Sequence, residues 1–320
     1  MTDSEERIFE GIKQAVLKSG RNLERSVRRF TKQASPRLVF HNLRWHLRSQ
    51  TYLTQWTDQR LQLDSHFWLF ILGLNNSGTT LLVDLLKSHP AMRWLPNEGQ
   101  YLTSGLPLPR TYGVPRNFSR RPDIFHWTEE SDPTPALRIK YDWASHYQRR
   151  PGILLEKSPP NMLRSRWLQH HFRPSRFVTI IRHPYAVCEG IRRREGHAIE
   201  EAALHWTRSN EYLLDDVKHL QYCLCFTYEE LCLFPENHLE KLEAFLGLDS
   251  PFSRRVLTTP RHIHNIDATP QLIRNLNERS LQQLSAGDLS IIDRIAGPLM
   301  ERLGYKPVQE IERTTVRCSV

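Results

Sequence analysis

The sequence predicts an α/β fold of three layers, in which helices flank a central, mainly parallel sheet and a helical extension precedes it. Three observations carry this. The apolar runs Phe67–Leu72, Ile153–Glu156, Phe177–Ile181 and Cys223–Tyr228 read as strands buried on both faces. Segments long enough for crossover helices separate them, which is the pattern of a parallel sheet. The first run ends in a glycine-containing turn and passes at once into the helix-like Leu81-Leu82-Val83-Asp84-Leu85-Leu86.

In chain order, residues 4–34 carry apolar side chains at Ile8, Ile12, Ala15, Val16, Leu23, Val27 and Phe30, an amphipathic helical recurrence interrupted at Gly20. Ser35-Pro36 breaks it, and Trp45, Leu47, Leu53, Trp56 and Leu61 follow. The expected organisation is a basic helical extension over 1–60, a main domain over 61–305 and a tail over 306–320. Eleven basic and five acidic residues fall within 1–50, so six of the nine net positive charges lie there. A solvated helix face explains such a run most simply, and an anionic partner is the functional reading. Residues 95–135, rich in Pro, Gly and Arg, read as a long functional loop or lid. Ala198–Leu220 and Glu236–Leu246 read as helices, the second ended by Gly247. Leu281–Leu303 has helical spacing, with Pro298 as a kink or boundary.

Composition excludes several classes. With 39% apolar and 25% charged residues over 320 positions, the chain is not disordered throughout. Its longest apolar run, Phe67–Leu74, is far short of the roughly 20 residues that span a bilayer, so an integral membrane protein is not expected. The segment Met1-Thr2-Asp3-Ser4-Glu5-Glu6 has no secretory pattern, and an odd number of cysteines, five, fits free thiols in a reducing compartment; a cytoplasmic location is expected. Cys223, Cys225 and Cys232 have no partners at zinc-site spacing, and no metal is expected.

The strongest local signal is Gly73-Leu74-Asn75-Asn76-Ser77-Gly78-Thr79-Thr80. A tight turn from strand to helix leaves backbone N–H groups converging where the helix dipole favours negative charge, so an anion is expected there. The spacing is P-loop-like, but Thr79 stands where nucleoside triphosphatases carry Lys. A P-loop kinase or hydrolase also needs an acid for Mg²⁺ at a strand end, and the strand ends here read Glu156-Lys157 and Arg182. A catalytically silent anion-binding module is the other alternative; nucleic acid is not an expected partner.

These residues resemble the PAPS-dependent sulfotransferase superfamily, whose 5′-phosphosulfate loop has the form x-[KR]-[ST]-G-T-T. Phe177-Val178-Thr179-Ile180-Ile181-Arg182-His183-Pro184 is similar to that family's strand-then-Arg element, and Phe226-Thr227-Tyr228-Glu229-Glu230-Leu231 with Phe245-Leu246-Gly247-Leu248 to its YEDL…FLGL stretch. Gly297–Tyr305 is similar to its C-terminal helix. The resemblance covers roughly residues 67–305 and is closest to carbohydrate- and tyrosylprotein-type members and bacterial relatives. It implies transfer of a sulfuryl group from 3′-phosphoadenosine 5′-phosphosulfate, a co-substrate, to an acceptor hydroxyl on a glycan, peptide or small molecule. Asn75, Asn76, Ser77, Gly78, Thr79 and Thr80 would then hold the 5′-phosphosulfate, Arg182 the 3′-phosphate and Tyr228 the adenine.

Two positions depart from the family pattern. Asn76 replaces the loop Lys or Arg, and Lys157, in a segment resembling the KSP-type stretch of glycan sulfotransferases, is the candidate replacement cation. Gly190 stands where the family often has a Ser for the 3′-phosphate, a task that would pass to Cys188 or to Arg192-Arg193-Arg194. Glu98 follows His89-Pro90 at nearly the spacing of the catalytic Glu of tyrosylprotein-type relatives and is the candidate base, with His205 as rival. Tyr101, Arg110, Tyr112, Arg116, Arg120 and Arg121 give the expected lid a basic, aromatic character suited to an acidic acceptor.

Overall fold

β1 (Trp68–Leu72) is buried along its whole length and forms the middle of a five-stranded sheet ordered β2-β3-β1-β4-β5. The computed structural model describes residues 36–62, 67–260 and 270–307. The expected helical preface over 4–34 and nearly all of the expected tail lie outside the described residues. The chain divides into the units Met1–Thr57 and Asp58–Val320. The first contributes α1 (Pro36–Leu47) and most of α2 (Gln50–Leu61).

The sheet belongs to the second unit. β1 pairs in parallel with β3 (Ile153–Lys157) on one side and with β4 (Ser175–Ile181) on the other. The outer strands, β2 (Met92–Trp94) and β5 (Cys223–Thr227), also pair in parallel. Both faces of such a sheet are covered by crossovers, which is why its inner strands read as unbroken apolar runs. On one face Trp68 packs edge-on against Phe172 with centroids 5.0 Å apart, and Phe70 stacks on Phe177 at 5.5 Å. On the other face Leu69 and Ile71 join Leu82, Leu85 and Leu86 of α3 (Thr79–Lys87). The chain moves outward from β1 to β2 on one side, then crosses to β4 and β5 on the other. The strand order therefore reverses beside the carboxyl end of β1, the place where open α/β sheets form their binding crevice.

α4 (Pro135–Ala144), α5 (Ser165–His171), α6 (Pro184–Glu195) and α7 (Ile199–Val217) provide most of the covering layers. α8 (Tyr228–Leu233) begins at Thr227, whose hydroxyl and Glu230 form a capping box, and α9 (Pro235–Leu246) ends at Gly247 in the left-handed conformation. In α10 (Ala286–Arg302) Pro298 lies inside the helix, which continues to Arg302; it is not a boundary.

The stretch expected to be a lid is anchored at many points. Leu106, Val114, Phe118 and Phe125 are buried, and short turns at Phe118–Arg120 and Pro122–Phe125 hold it. Arg110 and Arg116 pair with Glu195, Arg120 with Glu201, and Arg121 with Asp123. Much of the positive charge noted in the sequence is therefore met by carboxylates of this same chain.

Candidate active site

The carboxyl ends of β1, β3, β4 and β5 meet around a cavity of about 560 Å³. It brings together Asn75, Asn76, Gly78, Thr79, Thr80, Glu98, Lys157, Arg182 and Tyr228 of the residues expected from sequence. Ser77 and Gly190 lie behind it. The Ser77 hydroxyl donates to the Leu74 carbonyl at 2.6 Å, so the side chain closes the turn internally. Gly190 faces the side chain of Asn76, and a Cβ there would sit 2.7 Å from the Asn76 carboxamide.

The turn after β1 depends on two left-handed residues. Asn76 has φ 69°, a region that Asn tolerates better than most side chains. Gly78, at φ 93°, is required twice over, because a Cβ would also lie 2.5 Å from Cδ2 of Tyr228. No side chain caps α3 at Gly78, so its first turn is presented to the cavity with its N–H dipoles uncompensated by a cap.

Arg182 follows β4 directly and is 8% exposed. Its Nε donates to Asn277 Oδ1 at 2.7 Å and its Nη1 to the Asn76 carbonyl at 2.8 Å. The guanidinium lies 4.1 Å above the Tyr228 ring, and the Trp206 indole donates to the Arg182 carbonyl at 3.0 Å. Burial pulls the pKa of Arg182 down, with Tyr228 and Glu229 acting in the opposite sense. Asn277 in turn donates to Glu229 at 2.6 Å, so the arginine is held by a chain of bonds reaching a carboxylate. Tyr228 is itself only 4% exposed; its hydroxyl donates to the Arg274 carbonyl at 3.0 Å and accepts from the Leu276 amide at 3.2 Å, and burial raises its pKa. The tyrosine is thus the platform under Arg182.

Two buried donors at this site have no hydrogen-bond partner among the described residues: Asn76 Nδ2 and Arg182 Nη2. A buried, unpaired donor costs about 1–3 kcal/mol until an acceptor meets it. On the opposite wall Lys157 Nζ lies 2.5 Å from Glu98 Oε1, and Gln100 Nε2 donates to Glu98 Oε2 at 2.6 Å.

The rivals are placed elsewhere. His205 is buried and does not line the cavity; its Nδ1 meets the hydroxyls of Ser119 at 2.7 Å and Ser209 at 3.2 Å, and burial lowers its pKa to about 3. Cys188 is fully buried and its thiol is pushed up by desolvation. Of the arginine cluster, Arg192 pairs with Asp288 and Arg193 with Glu189, and Arg193 and Arg194 reach the cavity wall. Among the described residues there is no group of three or more His, Cys, Asp or Glu arranged to hold a metal.

Sequence reasoning missed three participants. Asn277 and its segment carry no periodic or motif signal. Glu229 and Glu156 have one: each is a carboxylate beside or within an apolar strand, where a charge is retained only with partners.

A strand-reversal crevice with unpaired donors on one wall and an ion-paired carboxylate on the other is an arrangement suited to an α/β group-transfer protein. Residues 69–253, more than half of the chain, match the family model described as Sulfotransferase family, and the chain belongs to that family: it is an enzyme that transfers a sulfuryl group to an acceptor. It is 22% identical over 267 residues to Protein-tyrosine sulfotransferase A of Caenorhabditis elegans, covering 75% of this chain and 67% of that protein. To Protein-tyrosine sulfotransferase 2 of Gallus gallus it is 23% identical over 260 residues, covering 75% and 69%. Among solved structures, a sulfotransferase from Mycobacterium avium aligns with a TM-score of 0.47 at 16% identity, covering 80% of this chain and 81% of that one.

Proposed function

We propose that the sulfuryl donor is 3′-phosphoadenosine 5′-phosphosulfate and that the acceptor is a hydroxyl on a peptide. The observation that carries the donor assignment is the pair of unpartnered donors, Asn76 Nδ2 and Arg182 Nη2, set at the start of α3. They suit a ligand anionic at both ends: Thr79, Thr80 and the loop amides take the phosphosulfate, and Arg182 the 3′-phosphate. The peptide acceptor is supported by the names of the two relatives; glycans and small hydroxylated molecules are the wider class. Arg116, Arg193 and Arg194 on the cavity wall favour an acceptor with negative charge near its hydroxyl.

In this reading Glu98 takes the acceptor proton while that oxygen forms its bond to sulfur and the bond from sulfur to the donor phosphate oxygen breaks. Lys157, shared with Glu98, meets the charge left on that phosphate oxygen and stands in for the loop cation that Asn76 replaces. Cytoplasmic residence is likewise proposed, supported by free thiols at Cys188, Cys223, Cys225 and Cys232, and an anionic partner is proposed for the basic residues 1–50. No helix among the described residues is long and apolar enough to cross a membrane.

Thermal unfolding with adenosine 3′,5′-bisphosphate beside AMP, ADP and ATP tests the donor site, since a ligand bound only by the folded state raises its stability by mass action. Selective stabilisation by the bisphosphate supports the reading. A preference for ATP, or no shift with any of the four, overturns it.

A further inference from the structure

Glu98 sits on a short connection, with a single helical turn at Gly99–Tyr101, and three-residue turns have little rigidity of their own. The bonds around Gly99 supply what is missing. Its N–H, which belongs to the peptide joining it to Glu98, donates to Glu156 Oε1 at 2.9 Å. Its carbonyl accepts from the Trp143 indole at 2.9 Å. Side chains from two different elements, β3 and α4, thus fix both peptide groups flanking one α-carbon. Nothing larger than glycine fits between them: a Cβ would lie 2.6 Å from the Trp143 ring and 2.7 Å from Glu156 Oε1.

Glu156 is 1% exposed and does not line the cavity. A carboxylate in that position is costly unless every contact is a donor, and here they are. The Ser158 hydroxyl donates to Oε1 at 2.6 Å and the Asn161 amide to Oε2 at 2.5 Å, while Asn161 accepts from the buried Arg164 at 2.9 Å. Ser158 also accepts the Gln100 N–H at 3.1 Å, and Gln100 returns a bond to the Glu98 carboxylate. Successive residues of a strand point to opposite faces. Glu156 and Lys157 therefore take hold of residue 98 from two sides, Glu156 through its peptide and Lys157 through its carboxylate.

We propose that Glu156 and Trp143 are positioning residues for the reaction: by gripping the Gly99 peptide they hold the Glu98 carboxylate at the distance from the acceptor hydroxyl that proton transfer requires. This rests on the reading of Glu98 as the base. The test compares Glu156→Gln, Trp143→Phe and the double variant with Glu98→Gln, reading release of adenosine 3′,5′-bisphosphate from the donor with tyrosyl peptides, and with water as the acceptor of last resort. Gln at 156 puts an NH₂ where only donors converge, so at least one bond of the frame is lost. Phe at 143 keeps an aromatic ring and removes the indole N–H.

Each single variant is expected to lower kcat about 10- to 100-fold, the size of effect that follows an ångström of misplacement, with bisphosphate affinity within about twofold of the parent because the Arg182 wall is untouched. The double variant is expected to be no slower than about the worse single one, since both grip the same glycine. Parental kcat in both singles, fully multiplicative losses, or bisphosphate affinity falling in step with kcat would each overturn the assignment. Should either variant fail to fold, Ser158→Ala, which takes one donor from Glu156 and the acceptor from the Gln100 N–H, is expected to lose kcat severalfold, and parental turnover there counts against the grip. Full turnover in Glu98→Gln would remove the base reading itself; a slow Glu98→Gln beside normal Glu156→Gln and Trp143→Phe would remove only the positioning role.

Discussion

The Asn76 carboxamide occupies the space into which a side chain at position 190 would grow, 2.7 Å from where the Cβ of that residue would stand. The two departures from the sulfotransferase sequence pattern therefore touch each other. With a short amide in the left-handed turn, α6 approaches closely at Gly190, and a serine there would press on Asn76. Gly190→Ser is expected to weaken adenosine 3′,5′-bisphosphate binding about tenfold, or about 1.4 kcal/mol, and Asn76→Gly, which makes room for the serine but removes the Nδ2 donor, to cost less in that chain than it costs alone. Isothermal titration of the two singles and the double closes the cycle; additive losses would show that the residues act separately.

The Arg182 guanidinium bonds Asn277 and Asn76, and its Nη2 has no hydrogen-bond partner among the described residues. Removal of an arginine from a buried, charge-assisted contact costs about 2–5 kcal/mol. Arg182→Ala is thus expected to abolish the bisphosphate-induced rise in unfolding temperature. Lysine should not rescue it, because an ammonium cannot reach Asn277, Asn76 and the ligand from one planar fork. The readout is the shift in unfolding temperature against bisphosphate concentration.

Lys157 is expected to matter to the rate more than to donor binding, since its ammonium is committed to Glu98 on the wall opposite Arg182. Lys157→Ala should lower the single-turnover rate about 10²- to 10³-fold, the range found when one group stabilising developing charge is removed, with bisphosphate affinity changed only severalfold. A rate within tenfold of the parent would assign the leaving-group charge to another cation, and Arg194 would be the next to substitute.

His205 makes stability depend on pH. Burial lowers its pKa to about 3, from an ordinary 6.5, so the folded protein keeps it neutral where the unfolded chain takes up a proton. The stability it contributes is complete above pH 6.5 and is lost as pH falls toward 3, each unit of separation being worth about 1.4 kcal/mol. Urea unfolding between pH 7 and 4.5 should show falling stability, and the slope should be shallower in His205→Asn, which cannot gain the proton. An unchanged slope would place the acid sensitivity in other groups.

The four strands visible as apolar runs agree with the observed ones to within two residues at either end; burial writes the inner strands β1, β3 and β4 into composition, while the edge strand β5 is apolar though only partly buried. β2 escaped notice because three residues, Met92–Trp94, hold no period. α4 was hidden at the end of a proline-rich stretch, although Pro135 stands in its first turn, where proline is at home. The loop after β1, Arg182 and Lys157 could be marked from sequence since each sits at or shortly after an apolar run, and Glu98 through its spacing from His89-Pro90 in the family resemblance. The residues that hold them could not: Asn277 reaches Arg182 across 95 positions of chain, and Trp143 reaches Gly99 across 44. Such partners are set by how helices fall on the sheet, which local sequence does not encode. In the basic stretch over 95–135 local sequence shows the arginines but not the carboxylates of α6 and α7 that pair with them.

That stretch also bears on how acceptor preference could be transplanted. Phe118 packs edge-on against His205 at 4.6 Å, Ser119 bonds the same ring, Arg120 pairs with Glu201, and the Pro115 carbonyl meets His197 at 2.7 Å. All four tethers end on α7 or the two residues before it. A chimaera that imports the 99–126 segment from a relative without α7 would strand His197, His205 and the Glu201 carboxylate at once. In this chain the 99–126 segment and α7 are thus one packing unit, and single substitutions on the exposed side of that segment disturb it less than its replacement as a block.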